Sequence, residues 1–190
     1  MKTSNRIRII GGHWRSRHLR FAPTKSLRPS GDRTRERVFN WLREKIIGAQ
    51  CIDLFAGSGA LAFEALSRGA KSCLAVDNDP QTIGWLRYNS NRLRAQNLTI
   101  VESDSCLLVA KPPMQPANIV FLDPPFNTYS ITELCQELET QQWLLPEAMI
   151  YVESSRTEAD LCTPENWMLW RHKITGRVDI RLYRRSGTKP

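Results

Sequence analysis

No stretch of the chain approaches the ~18 consecutive apolar residues that a membrane-spanning helix needs, and no apolar core follows the first charged residues as an export signal would. A cytoplasmic chain without a membrane partner is therefore expected. Histidine is scarce, with only His13, His18 and His172. The cysteines, Cys51, Cys73, Cys106, Cys135 and Cys162, are odd in number, widely spaced and free of any C-x-x-C pair. They read as reduced thiols rather than a disulfide framework, and with no ligand spacing between them and the histidines no metal is expected. Repeats and low-complexity tracts are missing too. No Gly-Lys-Ser/Thr follows the glycine-rich stretch, which excludes a Walker-type phosphate loop.

Acidic residues are sparse at the ends. Residues 1–37 carry 11 Lys/Arg against 2 Asp/Glu and residues 171–190 carry 7 against 1, while residues 38–170 hold 9 against 16. The overall charge of +8 is thus an acidic centre between basic ends. That distribution suits a polyanionic partner held by the termini while the centre performs another task. The N-terminal arginines are interleaved with apolar and aromatic side chains, unlike a plain solvated charge run.

Apolar periodicity supplies the architecture. Arg6 to Ile10 alternates charged and apolar residues, Gly11-Gly12 can turn, and Trp14 to Phe21 continues, so a small basic β-hairpin is expected that must lean on a larger body. After the linker Leu27-Arg28-Pro29, Ser30 or Asp32 can cap a helix reaching about Ile46. Arg33, Arg35 and Arg37 crowd its first turns, against the helix dipole, which hints at an anion. Strands are expected at 51–55, 72–76, 98–101, 118–122 and 148–152, alternating with helices to Arg68, from Pro80 to about Arg94 and from about Ser130 to Gln141. Residues 167–173 and 177–184 bracket Thr175-Gly176 as a final hairpin, expected to add antiparallel edge strands. Alternation of this kind predicts an α/β, Rossmann-like fold: a mainly parallel sheet with helices on both faces and a C-terminal antiparallel hairpin. A length of 190 residues fits one domain, here 30–190, with residues 1–29 as a basic extension.

The chemistry gathers at predicted strand ends, where open α/β sheets bind ligands. Asp53-Leu54-Phe55-Ala56-Gly57-Ser58-Gly59 is a strand-to-helix turn whose glycines admit a ligand and whose amides face it. Asp77 lies 24 residues beyond Asp53, near the spacing at which an acid meets ribose hydroxyls. Glu102-Ser103-Asp104 ends the next strand. Asp123-Pro124-Pro125-Phe126 ends the central one: Asp123 can accept hydrogen bonds from an exocyclic amine, the two prolines stiffen the backbone, and Phe126 offers a face for a planar base.

In this order the motifs resemble those of class I S-adenosylmethionine-dependent methyltransferases. The similarity narrows on Arg8-Ile9-Ile10-Gly11-Gly12, Leu27-Arg28-Pro29, Asp32-Arg33, Arg35-Glu36, Asp53 through Leu61, and Phe63-Glu64-Ala65-Leu66-Ser67-Arg68-Gly69-Ala70, which resemble the RsmD family from about Arg6 to Tyr183. The resemblance implies methyl transfer from S-adenosyl-L-methionine to the N2 amine of a guanine in 16S ribosomal RNA, in an assembled or assembling small subunit; a monomer is expected. It also implies that Asp53, Phe55, Ala56, Gly57, Ser58 and Gly59 hold the methionine part of the cofactor, that Asp77 takes the ribose, and that Asp104 or Ser105 meets the adenine. Asp123, Pro124, Pro125 and Phe126 would act on the acceptor base, and Arg6, Arg8, Arg15, Arg17, Arg28, Arg33 and Arg35 are the expected RNA contacts. Two departures, Ala62 for a common glycine and Asp77 for a common glutamate, are conservative, the second shortening the reach to the ribose. The same tetrapeptide serves N6-adenine methyltransferases, so that activity on DNA or RNA is the second reading. A non-catalytic RNA-binding assembly factor is the third.

Overall fold

The computed structural model describes residues 5–22, 31–126, 128–157 and 161–187. Arg28, its linker and the alternative cap Ser30 lie outside the described residues. Two short strands, β1 (Asn5–Arg8) and β2 (His18–Phe21), form an antiparallel ribbon. The rest alternates: α1 (Asp32–Trp41), β3 (Gln50–Asp53), α2 (Ala60–Ser67), β4 (Ser72–Asp77), α3 (Pro80–Leu93), β5 (Leu98–Glu102), α4 (Ser105–Val109), β6 (Ala117–Leu122), α5 (Ile131–Thr140), β7 (Leu144–Ser155), β8 (Trp167–Thr175) and β9 (Val178–Arg185).

The seven-stranded sheet has the order β5-β4-β3-β6-β7-β9-β8. Strands β3 to β7 pair in parallel, and only β9 is antiparallel to both neighbours. From β3 the chain winds outward through β4 and β5, then crosses back to β6. The switch point between β3 and β6 opens a crevice at the carboxyl ends of the strands. One face of the sheet is covered by α1, α2, α3 and the N-terminal ribbon, around Phe39, Phe63, Leu86, Phe121 and Tyr151. The other is covered by α4 and α5, around Val120, Leu134, Trp143 and Ile150.

Local chemistry sets most boundaries. Asp79 caps α3 by accepting from Gln81 and Thr82 N–H, with Pro80 as the first helical residue. Ser130 caps α5 by accepting from Glu133 N–H. Gly59, at φ +79°, starts α2 in a left-handed conformation, and a Cβ there would stand 2.7 Å from Leu86 Cδ2 and the Phe63 ring. That glycine serves the packing of α2 against α3.

Four expectations are corrected. The first helix stops at Trp41 instead of near Ile46, because the chain turns to bury Ile46 and to let Gly48 N–H donate to the Gly69 carbonyl at 2.8 Å. The ribbon turns through residues 9–17, not at Gly11-Gly12 alone, since Trp14 leaves the strand to bury itself against α2. Strand β7 begins at Leu144, ahead of Pro146; a register shift and the positive φ of Glu147, +65°, accommodate the proline as a bulge. Of the two final strands only β8 lies at the edge, because β9 inserts between it and β7.

The ribbon is seated on α2 by one buried carboxylate. Glu64 accepts from Ile10 N–H at 2.7 Å, Gly11 N–H at 2.8 Å and Arg68 Nε at 2.7 Å. Ser67 adds a hydroxyl that accepts from Trp14 N–H and donates to the Gly11 carbonyl. On α3, Asn89 exchanges two hydrogen bonds with the Arg20 backbone.

Candidate active site

Four carboxylates stand in a row across the carboxyl ends of adjacent strands, in the order Asp104 after β5, Asp77 on β4, Asp53 on β3 and Asp123 after β6. Each is placed by its strand, so the row follows from the parallel register. Asp53 is buried; its Oδ2 accepts from Ala62 N–H at 3.1 Å. Among the described residues its Oδ1 closes no hydrogen bond of ordinary geometry. Burial pushes the Asp53 carboxyl up to about 7, the nearby Asp77 charge adds to the rise, and the Ala62 and Phe55 amides oppose it.

Asp77 accepts from Gly57 N–H through Oδ2 at 2.9 Å and from Asp79 N–H through Oδ1 at 3.0 Å. These bonds tie the glycine turn to the end of β4 and leave lone pairs to accept hydroxyls. Burial raises its carboxyl, and the amides partly restrain the rise. Phe55 is half-buried beside the turn, Ala56, Ser58 and Gly59 are buried, and Gly57 takes a positive φ of +49°.

Asp104 caps α4, accepting from Cys106 and Leu107 N–H. Ser105, by contrast, is buried and donates its hydroxyl to the Leu54 carbonyl. That hydroxyl pins α4 to β3, so of the two residues expected at the adenine Ser105 has its side chain committed to the interior, whereas Asp104 is half-buried. Tyr129, which sequence reasoning missed, donates to Asp104 Oδ2 at 2.9 Å and accepts from Asn78 Nδ2 at 3.2 Å. Its ring packs 4.9 Å from that of Phe55. Burial and the bond to Asp104 push its hydroxyl up to about 12, so it remains a donor. An aromatic residue three places after Phe126 was the only signal available.

Asp123 is half-buried, Pro124 is buried, and Pro125 and Phe126 are exposed, Phe126 by 44%. The tetrapeptide thus places a half-buried acid, two prolines and an exposed apolar ring just past the carboxyl end of β6. Arg6, Arg8, Arg15, Arg17 and Arg33 are exposed. Arg35 is not: it is wholly buried, with Nη2 donating to the Arg8 carbonyl at 2.9 Å and to Asp32 Oδ1 at 2.7 Å. Its expected role as an RNA contact is corrected. The crowded helix start has a structural cause at this position, since Arg35 fastens β1 to α1. Burial lowers its guanidinium pKa, and Asp32 counters that effect. Among the described residues no three His, Cys, Asp or Glu side chains gather as a metal site, and no helix is long and apolar enough to cross a membrane.

The sheet order, the glycine turn and the row of acids define a class I S-adenosylmethionine-dependent methyltransferase fold. A family model described as Conserved hypothetical protein 95 matches residues 7–184. The chain is 45% identical to ribosomal RNA small subunit methyltransferase D of Escherichia coli, over 96% of this chain and 92% of that one. It is 41% identical to the protein of the same description from Haemophilus influenzae, over 93% of each. The solved structure of the Escherichia coli protein yhhF superposes with a TM-score of 0.90 at 44% identity, covering 97% of this chain and all of that one. The chain belongs to the RsmD family of methyltransferases.

Proposed function

We propose that this protein transfers a methyl group from S-adenosyl-L-methionine to the N2 amine of a guanine in 16S ribosomal RNA, in the cytoplasm and as a monomer, on an assembled or assembling small subunit. The observation that carries the reading is the placement of Asp123-Pro124-Pro125-Phe126 next to the glycine turn, across the switch point of the sheet. The cofactor residues present fit the group: a buried carboxylate oxygen at Asp53 for a methionine ammonium, acceptor capacity at Asp77 for ribose hydroxyls, and Asp104 for an adenine amine. Bound there, S-adenosylmethionine supplies a methyl group made electrophilic by its sulfonium.

The protein's share of the work is positioning. The N2 lone pair of guanine is delocalised into the ring, so the free amine is a weak nucleophile. Asp123 and the Pro124 carbonyl accept its two hydrogens and aim the lone pair, while Phe126 stacks on the extruded base. The nitrogen becomes acidic as its new bond forms, and its proton leaves to Asp123 or to water. Residues 1–29 serve as the RNA-gripping extension of the catalytic domain, with Arg6, Arg8, Arg15, Arg17, Arg28 and Arg33 reaching phosphates. The exposed Arg171 and Lys173 on β8 and Arg177 at the β8–β9 turn supplement them.

Transfer of labelled methyl from S-adenosylmethionine to unmodified small subunits, with naked 16S rRNA and duplex DNA alongside, tests the proposal after digestion to nucleosides. N2-methylguanosine in RNA is the expected product. Label in adenine would replace the reading with the N6-adenine one, and cofactor binding without transfer would leave only an RNA-binding role.

Two further outcomes are expected. Arg17→Gln with Arg33→Gln should weaken subunit binding and flatten its salt dependence by about one log-log unit for each phosphate no longer neutralised; an unchanged slope would assign these arginines to solvent. Cofactor affinity should rise between pH 6 and pH 8, because Asp53 is largely neutral below about 7 and must ionise to meet an ammonium. Calorimetry near pH 6.5 in buffers of different ionisation enthalpy should show proton release on binding, abolished in Asp53→Asn. For the fold itself the sign is opposite. The Asp53 pKa is raised on folding, so its favourable contribution is complete below the unfolded value and is lost as pH rises through about 7.

A further inference from the structure

We infer that the outer face of α3, with β2 laid against it, is a second RNA contact: a platform on which an unpaired rRNA nucleotide stacks, apart from the crevice that takes the acceptor base. The inference rests on the ribosomal RNA reading above and adds a subsite which that reading leaves unassigned.

Helix α3 buries Thr82, Ile83, Leu86, Asn89 and Leu93. Its other face carries Gly84, Trp85, Tyr88, Asn91 and Arg92, whose three- and four-residue spacing places them in one stripe. Tyr88 is 41% exposed, among the few large apolar side chains that the described residues leave open to water, and Trp85 is half-buried. Their rings meet edge to face, with centres 5.6 Å apart. From β2, Arg20 sets its guanidinium carbon 5.8 Å from the centre of the Tyr88 ring. Aromatic and cationic groups thus share one patch.

The seating of the ribbon does not require these rings. Asn89 accepts from Arg20 N–H at 3.0 Å and donates to the Arg20 carbonyl at 2.7 Å, Arg92 donates to the His18 carbonyl, and Leu19 and Phe21 are buried. Gly84 is equally unexplained by packing. Glycine inside a helix is destabilising relative to alanine, yet a Cβ at Gly84 would meet nothing within 4 Å. It leaves open ground one turn before Tyr88, where another chain can approach closely.

Charge identifies that chain. Residues 80–101 contain Arg87, Arg92 and Arg94 and no Asp or Glu, inside a central region that carries an acidic excess. Arg20 brings a fourth guanidinium from β2. A basic face free of acids and bearing an exposed ring suits single-stranded RNA, with arginines near phosphates and a base stacked on the aromatic side chain. The patch also continues from the ribbon, where Arg6, Arg15 and Arg17 are exposed. Helix α3 starts at the carboxyl end of β4, and Tyr88 lies eight residues along it from Pro80, or about 12 Å. RNA that delivers its acceptor base to the crevice can reach that far.

Unmodified small subunits are the probe. Tyr88→Ala should raise their dissociation constant by about tenfold. The salt dependence should keep its slope, because no charge is lost, and S-adenosylmethionine affinity should be retained. Tyr88→Phe, which keeps the ring, should bind within about twofold of wild type. Gly84→Leu fills the open ground and improves helix propensity, so it should weaken subunit binding while raising the melting temperature; it carries the test alone if Tyr88→Ala does not fold. Ultraviolet crosslinking of the wild-type complex should join residues 81–92 to rRNA. Unchanged binding in Tyr88→Ala and Gly84→Leu, equal losses in Tyr88→Ala and Tyr88→Phe, or crosslinks from this face to a ribosomal protein overturns the platform. Wild-type methyl label outside rRNA would remove the underlying reading instead, so the two failures are distinguishable.

Discussion

Replacing Asp123 by alanine is expected to lower kcat on small subunits by about two to four orders of magnitude, with the dissociation constant for S-adenosylmethionine within about twofold of wild type. The residue lies just past β6, on the acceptor side of the acids assigned to the cofactor, and is half-buried at the crevice mouth. Its proposed acceptor role matters most as the amine nitrogen becomes positive, so kcat and kcat/KM should fall together. Asp123→Asn separates geometry from charge. It retains an acceptor oxygen but no anion, and should fall between wild type and alanine. Equal loss of cofactor binding and turnover, accompanied by a lower melting temperature, would instead make Asp123 a structural residue.

Glu64→Ala should have the largest effect on stability, about 3 to 5 kcal/mol, or roughly 10 °C in melting temperature for a chain of this size. The carboxylate is buried between α2 and the ribbon, and three donors end on it: Ile10 N–H, Gly11 N–H and the Arg68 guanidinium. Alanine would leave two backbone amides and a charged group without their acceptor in a space that water enters poorly. Thermal unfolding and limited proteolysis within residues 5–22 should report the loss together, as the ribbon comes off α2. Subunit binding should weaken with it, because Arg6, Arg8, Arg15 and Arg17 are carried by that ribbon. An unchanged melting temperature would show that apolar packing of Ile9, Trp14 and Leu19 suffices to seat it.

The placement of the candidate site was legible wherever it depends on a residue's immediate neighbours. Asp53, Asp77, Asp104 and Asp123 each follow a short apolar run, and a turn or proline pair marks where the run ends. Position in the crevice then follows from strand polarity alone. Ser105 and Arg35 were misread because serine next to an acid and arginine at a helix start look the same in sequence whether they face solvent or the interior. Their partners, the Leu54 and Arg8 carbonyls, lie 51 and 27 residues away. Tyr129 is similar, since its bonds to Asn78 and Asp104 join the ends of two other strands.

The sequence by itself determined the α/β alternation, the basic ends around an acidic centre and the family, since each depends on local order along the chain. Tertiary structure decided the insertion of β9, the seating of the ribbon on Glu64, the inward turn of Arg35 and the register that sets Leu122 beside Val152. These depend on which strand lies beside which, and strand adjacency is settled by burying both faces of one sheet at once. Periodicity within a single segment carries no record of it.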